Sequence, residues 1–214
     1  GQTEIATFRS DASYSDGRRP DAVTFETSPE ADAQRRDFTI NGLFLDPGTN
    51  EVLDFVHGRA DLAAGIIRAI GQPEQRFRED HLRLLRAIRF AARFEFTIEP
   101  QTMAAIQAEA SSIHRIAGER VRDELTRILT EGHARLGFEL LDEANLLVHT
   151  LPEIAAMKGV AQPAEYHPEG DVWTHTLLLL EGLQNPTPAL AWAALLHDVG
   201  KPPTFRQAAD RIRF

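Results

Sequence analysis

The hydrophobic pattern of this 214-residue chain changes period near Gln75, and that change limits the folds open to it. Upstream, Glu4-Ile-Ala-Thr-Phe-Arg9 and Asp21-Ala-Val-Thr-Phe25 alternate apolar and polar residues, the period of a half-buried strand. Between them lies a loop rich in Ser, Asp, Gly and Arg. Pro29-Glu-Ala-Asp32 opens a short helix running through Arg35-Arg36-Asp37. Gly42–Asp46 and Glu51–Phe55 flank Pro47-Gly48-Thr49-Asn50, which predicts a hairpin. A further strand, Ile66–Ile70, ends at Gly71. Downstream, apolar residues recur at helical spacing, predicting helices at 79–94, 100–109, 118–130, 134–145, 171–184 and 188–198. Strands first and helices afterwards define an α+β chain with a segregated helical part.

Composition narrows the function. The chain is 43% hydrophobic and 26% charged, with room for a sizeable core. No apolar run approaches the ~18 residues needed to span a bilayer, and the N-terminus has no signal-peptide pattern. Cys is absent, which excludes disulfides and thiolate metal sites and fits a cytoplasmic protein. The net charge of −9 argues against a generally basic nucleic-acid binder, so any such surface is local. Of the basic residues, two are Lys (Lys158 and Lys201) and 21 are Arg. Arg suits bidentate contacts to carboxylates, phosphates and base edges.

Three constellations carry chemistry. In Arg78–Phe94, Asp80, Arg83, Arg86 and Arg89 stand three residues apart and predict one polar stripe, opposite an apolar face of Leu82, Leu85, Ile88 and Ala92. Such a stripe is either a solvated face of weak ion pairs or a row presenting an acceptor and a donor to a nucleobase, continuing toward phosphate. Arg35-Arg36-Asp37 is either a surface ion pair or an Arg aimed at a triphosphate and held by Asp37. His175, in an apolar helix, and His197-Asp198, at the end of another, are either satisfied core groups or ligands for Mg, Mn, Ni or Zn. His167 before Pro168 reads as a loop histidine.

The segments Glu4–Arg9 with Asp16-Gly-Arg-Arg-Pro-Asp21, RRDFTIN at 35–41 and EDHLRLLR at 79–86 resemble, in that order, the bacterial tRNA nucleotidyltransferases. These are the CCA-adding enzymes and their poly(A) polymerase relatives. Glu119–Leu129 resembles the family's neck helix, and the His175 and His197-Asp198 region resembles an HD phosphohydrolase domain. The resemblance implies the C-terminal part of a polymerase-β-like head at 1–71, a helical neck and RNA-binding region at 72–154, and an HD domain at 155–214.

What the resemblance implies about function follows from its motifs. The activity is addition of CCA to tRNA 3′ ends from CTP and ATP, with the tRNA acceptor arm as partner and Mg²⁺ in the head. Asp80 and Arg83 would read the base edge, with Glu79 fixing Arg83. Arg36 would contact the nucleotide, Arg86 and Arg89 the triphosphate, and Asp37 and Asn41 would support the ribose. His175, His197 and Asp198 would hold a divalent metal. The family's Asp-x-Asp metal carboxylates and Gly-rich motif lie upstream of the Glu4 strand and are not in this sequence. The chain therefore reads as a fragment without catalytic residues of its own, inactive in transfer. The HD site likewise needs a further Asp beyond Phe214. A poly(A) polymerase and an HD-type phosphohydrolase are the alternative activities, and a pure tRNA-binding module is a third.

Overall fold

The computed structural model describes residues 7–11, 23–25, 28–163, 165–207 and 212–214. The Glu4 strand motif up to Ala6 and the Asp16–Asp21 motif lie outside the described residues. Within them the α+β order is borne out, and the chain divides into two compact units: Gly1–Ala87 with Phe96–Ile116, and Ile88–Glu95 with Ala117–Phe214.

The first unit opens with β1 (Arg9–Asp11) and β2 (Val23–Phe25), antiparallel, with Arg9 opposite Phe25. Pro29 starts α1 (Pro29–Gln34) at a position where its missing N–H costs nothing. The helix ends before Arg35 rather than running through Asp37. The chain then turns, and the Thr39 N–H donates to the Arg68 carbonyl while the Ile70 N–H donates to that of Asp37. These bonds hold Asp37 and the 3₁₀ turn Thr39–Asn41 against the following strand. The predicted hairpin forms from β3 (Leu43–Asp46) and β4 (Glu51–Asp54), with Leu43 opposite Asp54.

An unpredicted helix follows, α2 (Gly58–Ala64). The Asp54 carboxylate starts it by accepting from the N–H groups of Val56, Gly58 and Arg59. The strand expected over Ile66–Ile70 contracts to β5 (Ile66–Ile67), with only an isolated bridge from Ala69 to Phe38 beyond it.

The helix predicted over 79–94 starts later than expected, and another helix, outside the predicted bounds, precedes it. Helix α3 runs Pro73–Glu79 and α4 runs Leu82–Phe94. Asp80 takes an extended backbone (φ −149°, ψ 104°) between them, and its Oδ1 accepts from the Leu82 N–H at 3.0 Å. A short acidic side chain that satisfies a backbone donor competes with helix continuation, which is why the break falls here. β6 (Thr97–Ile98) pairs with β5 in parallel. α5 (Pro100–Glu109) and a 3₁₀ segment, Ala110–Arg115, complete the unit. Phe38, Ile67, Phe77, Leu84, Leu85, Ile106 and Ile113 are its buried centre.

The second unit is almost wholly helical. It contains the C-terminal half of α4, α6 (Gly118–Thr130), α7 (Ala134–Glu143), and two short helices, α8 (Leu147–Thr150) and α9 (Pro152–Ala155). α10 (Val172–Gly182), α11 (Pro188–Leu196) and α12 (Lys201–Thr204) follow, then the small pair β7 (Arg206–Gln207) and β8 (Ile212–Arg213). The predicted apolar face of α4 is borne out: Leu82, Leu85, Ile88 and Ala92 are all buried. Asp171 and Thr187 cap α10 and α11 through their side chains. Leu129, Phe138, Leu141, Leu147, Ile154, Met157, Leu180 and Leu195 fill the interior.

Candidate functional site

In the first unit, the ends of α1 and α3 and the start of α4 bring together the predicted nucleotide residues other than Arg89. Arg83 is 9% exposed. Its Nη1 donates to Glu79 Oε2 at 2.6 Å and to the Arg76 carbonyl at 2.9 Å, and its Nη2 to the Arg35 carbonyl at 3.2 Å. The same Glu79 oxygen accepts from Arg76 Nη1 at 2.8 Å. Arg76 in turn donates to the Ile70 and Gln34 carbonyls. The guanidinium of Arg83 is thus fixed in position and plane, with its Nε–H and one Nη2 hydrogen free of acceptors among the described residues. Asp80, half-buried, sits in the helix break beside it.

Asp37 was expected to hold one of its neighbouring arginines; it holds Arg86 instead, Nη2 to Oδ2 at 2.6 Å. Its other oxygen accepts from the Phe38 N–H and from Asn41 Nδ2, each at 2.9 Å. Burial pushes this carboxyl upward, but the Arg86 charge and the three hydrogen bonds outweigh it and leave it below the usual range. Arg35 and Arg36 are held by Asp32, an acid the sequence reading missed although it stands three and four residues before them. Arg36 also donates to the Asn41 carbonyl and lies over the Phe44 ring, 4.7 Å from its centroid.

The stripe does not form as predicted. Asp80 is outside α4, and Arg89, 4% exposed, belongs to the second unit. There it donates to Glu124 Oε2 at 2.7 Å and Glu131 Oε2 at 3.3 Å, an internal ion-pair network. This engagement takes Arg89 out of the row expected to reach phosphate.

The second constellation lies entirely in the second unit. His175 Nδ1 is 2.6 Å from Glu169 Oε1, and His167 Nδ1 is 3.0 Å from the same atom. A carboxylate facing Nδ1 puts the ring proton there and leaves the Nε2 lone pair open. Glu169 itself is held down to about 2, by its own backbone amide first and then by the two imidazoles. His167 does lie in a loop, as read, yet belongs to the cluster; Glu169 was missed, although His-x-Glu six residues before a helical His is a spacing that could have drawn notice.

His197 Nδ1 faces the Ala194 carbonyl at 2.8 Å, so it too carries the proton. Its Nε2 then points a lone pair at Asp198 Oδ2, 3.0 Å away. That oxygen is buried, and the Lys201 ammonium lies 2.7 Å from it on another side. An imidazole nitrogen in contact with a buried carboxylate oxygen calls for positive charge beside the pair. The ligand atoms of His175, His197 and Asp198 lie within 4.8 Å of one another, as do those of His167, Glu169 and His175. Two imidazoles and a carboxylate suit a divalent first-row ion, with the outward N–H groups anchored as metal-binding histidines require.

Residues 1–68 match the poly A polymerase head domain, and 95–158 match the probable RNA and SrmB-binding site of polymerase A. The Glu79–Arg83 segment lies between the two matches. The CCA-adding enzyme of Lactobacillus helveticus (strain DPC 4571) is 37% identical over 83% of this chain and 45% of its own length. The multifunctional CCA protein of Laribacter hongkongensis (strain HLHK9) is 39% identical over 94% of the chain and 48% of its own length. The chain thus spans about half the length of these relatives. The crystal structure of the Bacillus stearothermophilus CCA-adding enzyme in complex with CTP superposes with a TM-score of 0.70 at 30% identity, over 91% of this chain and 43% of that one.

A strand-and-helix head followed by a helical region matching the polymerase A models is the architecture of the nucleotidyltransferase class. Within that class, the chain belongs to the family of the CCA-adding enzymes and poly(A) polymerases.

Proposed function

We propose that this chain supplies the base-selecting part of a cytoplasmic enzyme that adds CMP and AMP from CTP and ATP to the 3′ end of tRNA. The observation that carries the reading is the fixed Arg83 guanidinium, clamped by Glu79 and two carbonyls beside Asp80. An Asp carboxylate accepts from an exocyclic amino group, which C and A carry at corresponding positions and U lacks. The free guanidinium hydrogens serve the adjacent ring nitrogen or carbonyl. G presents a carbonyl where the amino group is needed, so both wrong bases meet like partners. Arg86, on Asp37, and Arg36, on Asp32, stand ready for the phosphates and ribose, with Asn41 holding Asp37 in place. Arg89 acts as a structural tie. The transfer itself, with the acceptor arm of tRNA and divalent Mg²⁺, belongs to the whole protein.

His175, His197 and Asp198 would hold a divalent metal, which supplies Lewis-acid activation of a phosphoryl oxygen or of water when bound. This cluster favours a second activity, HD-type phosphohydrolysis, alongside nucleotide addition.

Calorimetric titration of the chain with CTP, ATP, GTP and UTP tests the first reading. CTP and ATP should bind selectively, and Arg83→Ala should abolish the selectivity. Equal binding of all four, or none by a sample folded by circular dichroism, would overturn it.

A further inference from the structure

The metal-type cluster of the second unit already contains a cation. Lys201, the first residue of α12, places Nζ 2.7 Å from Asp198 Oδ2, the buried oxygen that also faces His197 Nε2. The same Nζ donates to Gln162 Oε1 at 2.6 Å, and it lies 5.2 Å from the centroid of the Phe214 ring. Gln162 is 7% exposed, and its Nε2 has no acceptor among the described residues. That orientation is forced: exchanging the amide atoms would set an NH₂ against the ammonium. A buried carboxamide thus turns its one acceptor toward Lys201 and leaves its donor orphaned.

We propose that Lys201 is the resident cation of this centre, and that a divalent metal binds by exchange with it rather than by addition to it. The argument is electrostatic. Asp198 Oδ2 cannot stand buried beside the His197 lone pair without positive charge, because an uncompensated carboxylate in low dielectric is costly. Lys201 supplies that charge from the side of Gln162. A metal on His175, His197 and Asp198 would bring two positive charges to the same oxygen, and an ammonium within 3 Å of it is then repelled. Lys201 must retreat along its flexible stem, still bonded to Gln162 or turned to solvent, where it is available to an oxyanion beside the metal. Lys201 is therefore a positioning residue that sets how tightly the centre takes metal. It guards the carboxylate when no metal is there, and its own release is part of the cost of binding.

The inference rests on the metal reading above, and the two fail differently. The test is titration of the metal-stripped chain with Mn²⁺ alone, followed by calorimetry, for the wild type, Lys201→Met and Lys201→Arg. Removing the competing charge should tighten Mn²⁺ binding roughly tenfold or more in Lys201→Met, while Lys201→Arg, which keeps the charge, stays near the wild type. A gain of affinity cannot come from damage to the fold. The metal-free Lys201→Met protein should melt lower than the wild type, and Mn²⁺ should raise its melting temperature by more. If that variant does not fold without metal, the Mn²⁺ concentration at which it refolds reads the same affinity. Wild-type binding with equal or weaker binding by Lys201→Met overturns the exchange and leaves the metal site standing. No binding by any of the three overturns both.

Discussion

Glu79 does more than its place at the end of α3 suggests. One of its oxygens accepts from Arg76 and from Arg83, so two largely buried guanidinium groups share one anion. Glu79→Gln keeps the shape and removes the charge both of them need. The expected cost is about 1.5–3 kcal/mol, the range for hydrogen bonds to charged groups. It should appear as a lower urea midpoint at unchanged slope, and an unchanged midpoint would mean that solvent already screens the pair. The pairing of Glu79 with Arg83 was legible, but through the family resemblance and not through helical spacing, since the helix breaks at Asp80 between them. So was that of Asp32 with Arg35 and Arg36, had acids upstream of the motif been weighed. The role of Arg76 was not: its bonds to the Gln34 and Ile70 carbonyls exist only once distant segments have folded together.

Elements were legible where their signals were long or sharply punctuated. α5 and α6 match their predicted bounds because Pro100 and Gly118 mark their starts, and in α6 an amphipathic period fills the helix. α2, α8 and α9 span only one or two turns, too short for a period to declare itself. β6 consists of two residues paired in parallel with β5, a tertiary pairing that no local alternation reveals. The break at Asp80 was hidden because the apolar positions of α3 and α4 nearly continue one another in phase. Close approach shapes α2 as well. A Cβ on Gly58 would run into the carbonyl of Thr39, in the 3₁₀ turn that ends at Asn41. Backbone cannot yield as a side-chain tip does, so Gly58→Ala should destabilise the chain by about 1–3 kcal/mol. Because the displaced turn carries Asn41, nucleotide affinity should fall as well. A melting temperature equal to the wild type's would show that α2 moves aside freely.

For the molecule as a whole, carboxylates set the response to acid. Asp32, Asp37, Asp54, Glu99, Glu109 and Asp171 are all held below their ordinary range. In each, burial works upward and is outweighed by hydrogen bonds from backbone amides, hydroxyls, Asn41 or Arg, helped at several by Arg charge. In the unfolded chain these groups titrate near about 3.9 for Asp and 4.3 for Glu. The folded state therefore binds fewer protons than the unfolded one across the acid range, and stability falls as pH falls. The contribution is complete above about pH 5 and is lost as pH drops through the lowered folded values. The melting temperature should accordingly stay level with respect to these groups from pH 7 to about 5 and decline steeply below about 4. Asp37 isolates one share of the effect, since among these carboxylates it is the one that pairs with Arg86 and aligns Asn41. Asp37→Asn should melt well below the wild type at pH 7. Below the ordinary Asp value the two curves should converge, because the unfolded wild-type chain then binds a proton that folding must expel. Scanning calorimetry of both proteins across that range decides it. Parallel curves would mean that Asp37 acts through its shape and hydrogen bonds alone, and convergence that its charge, set against Arg86, holds this turn in place.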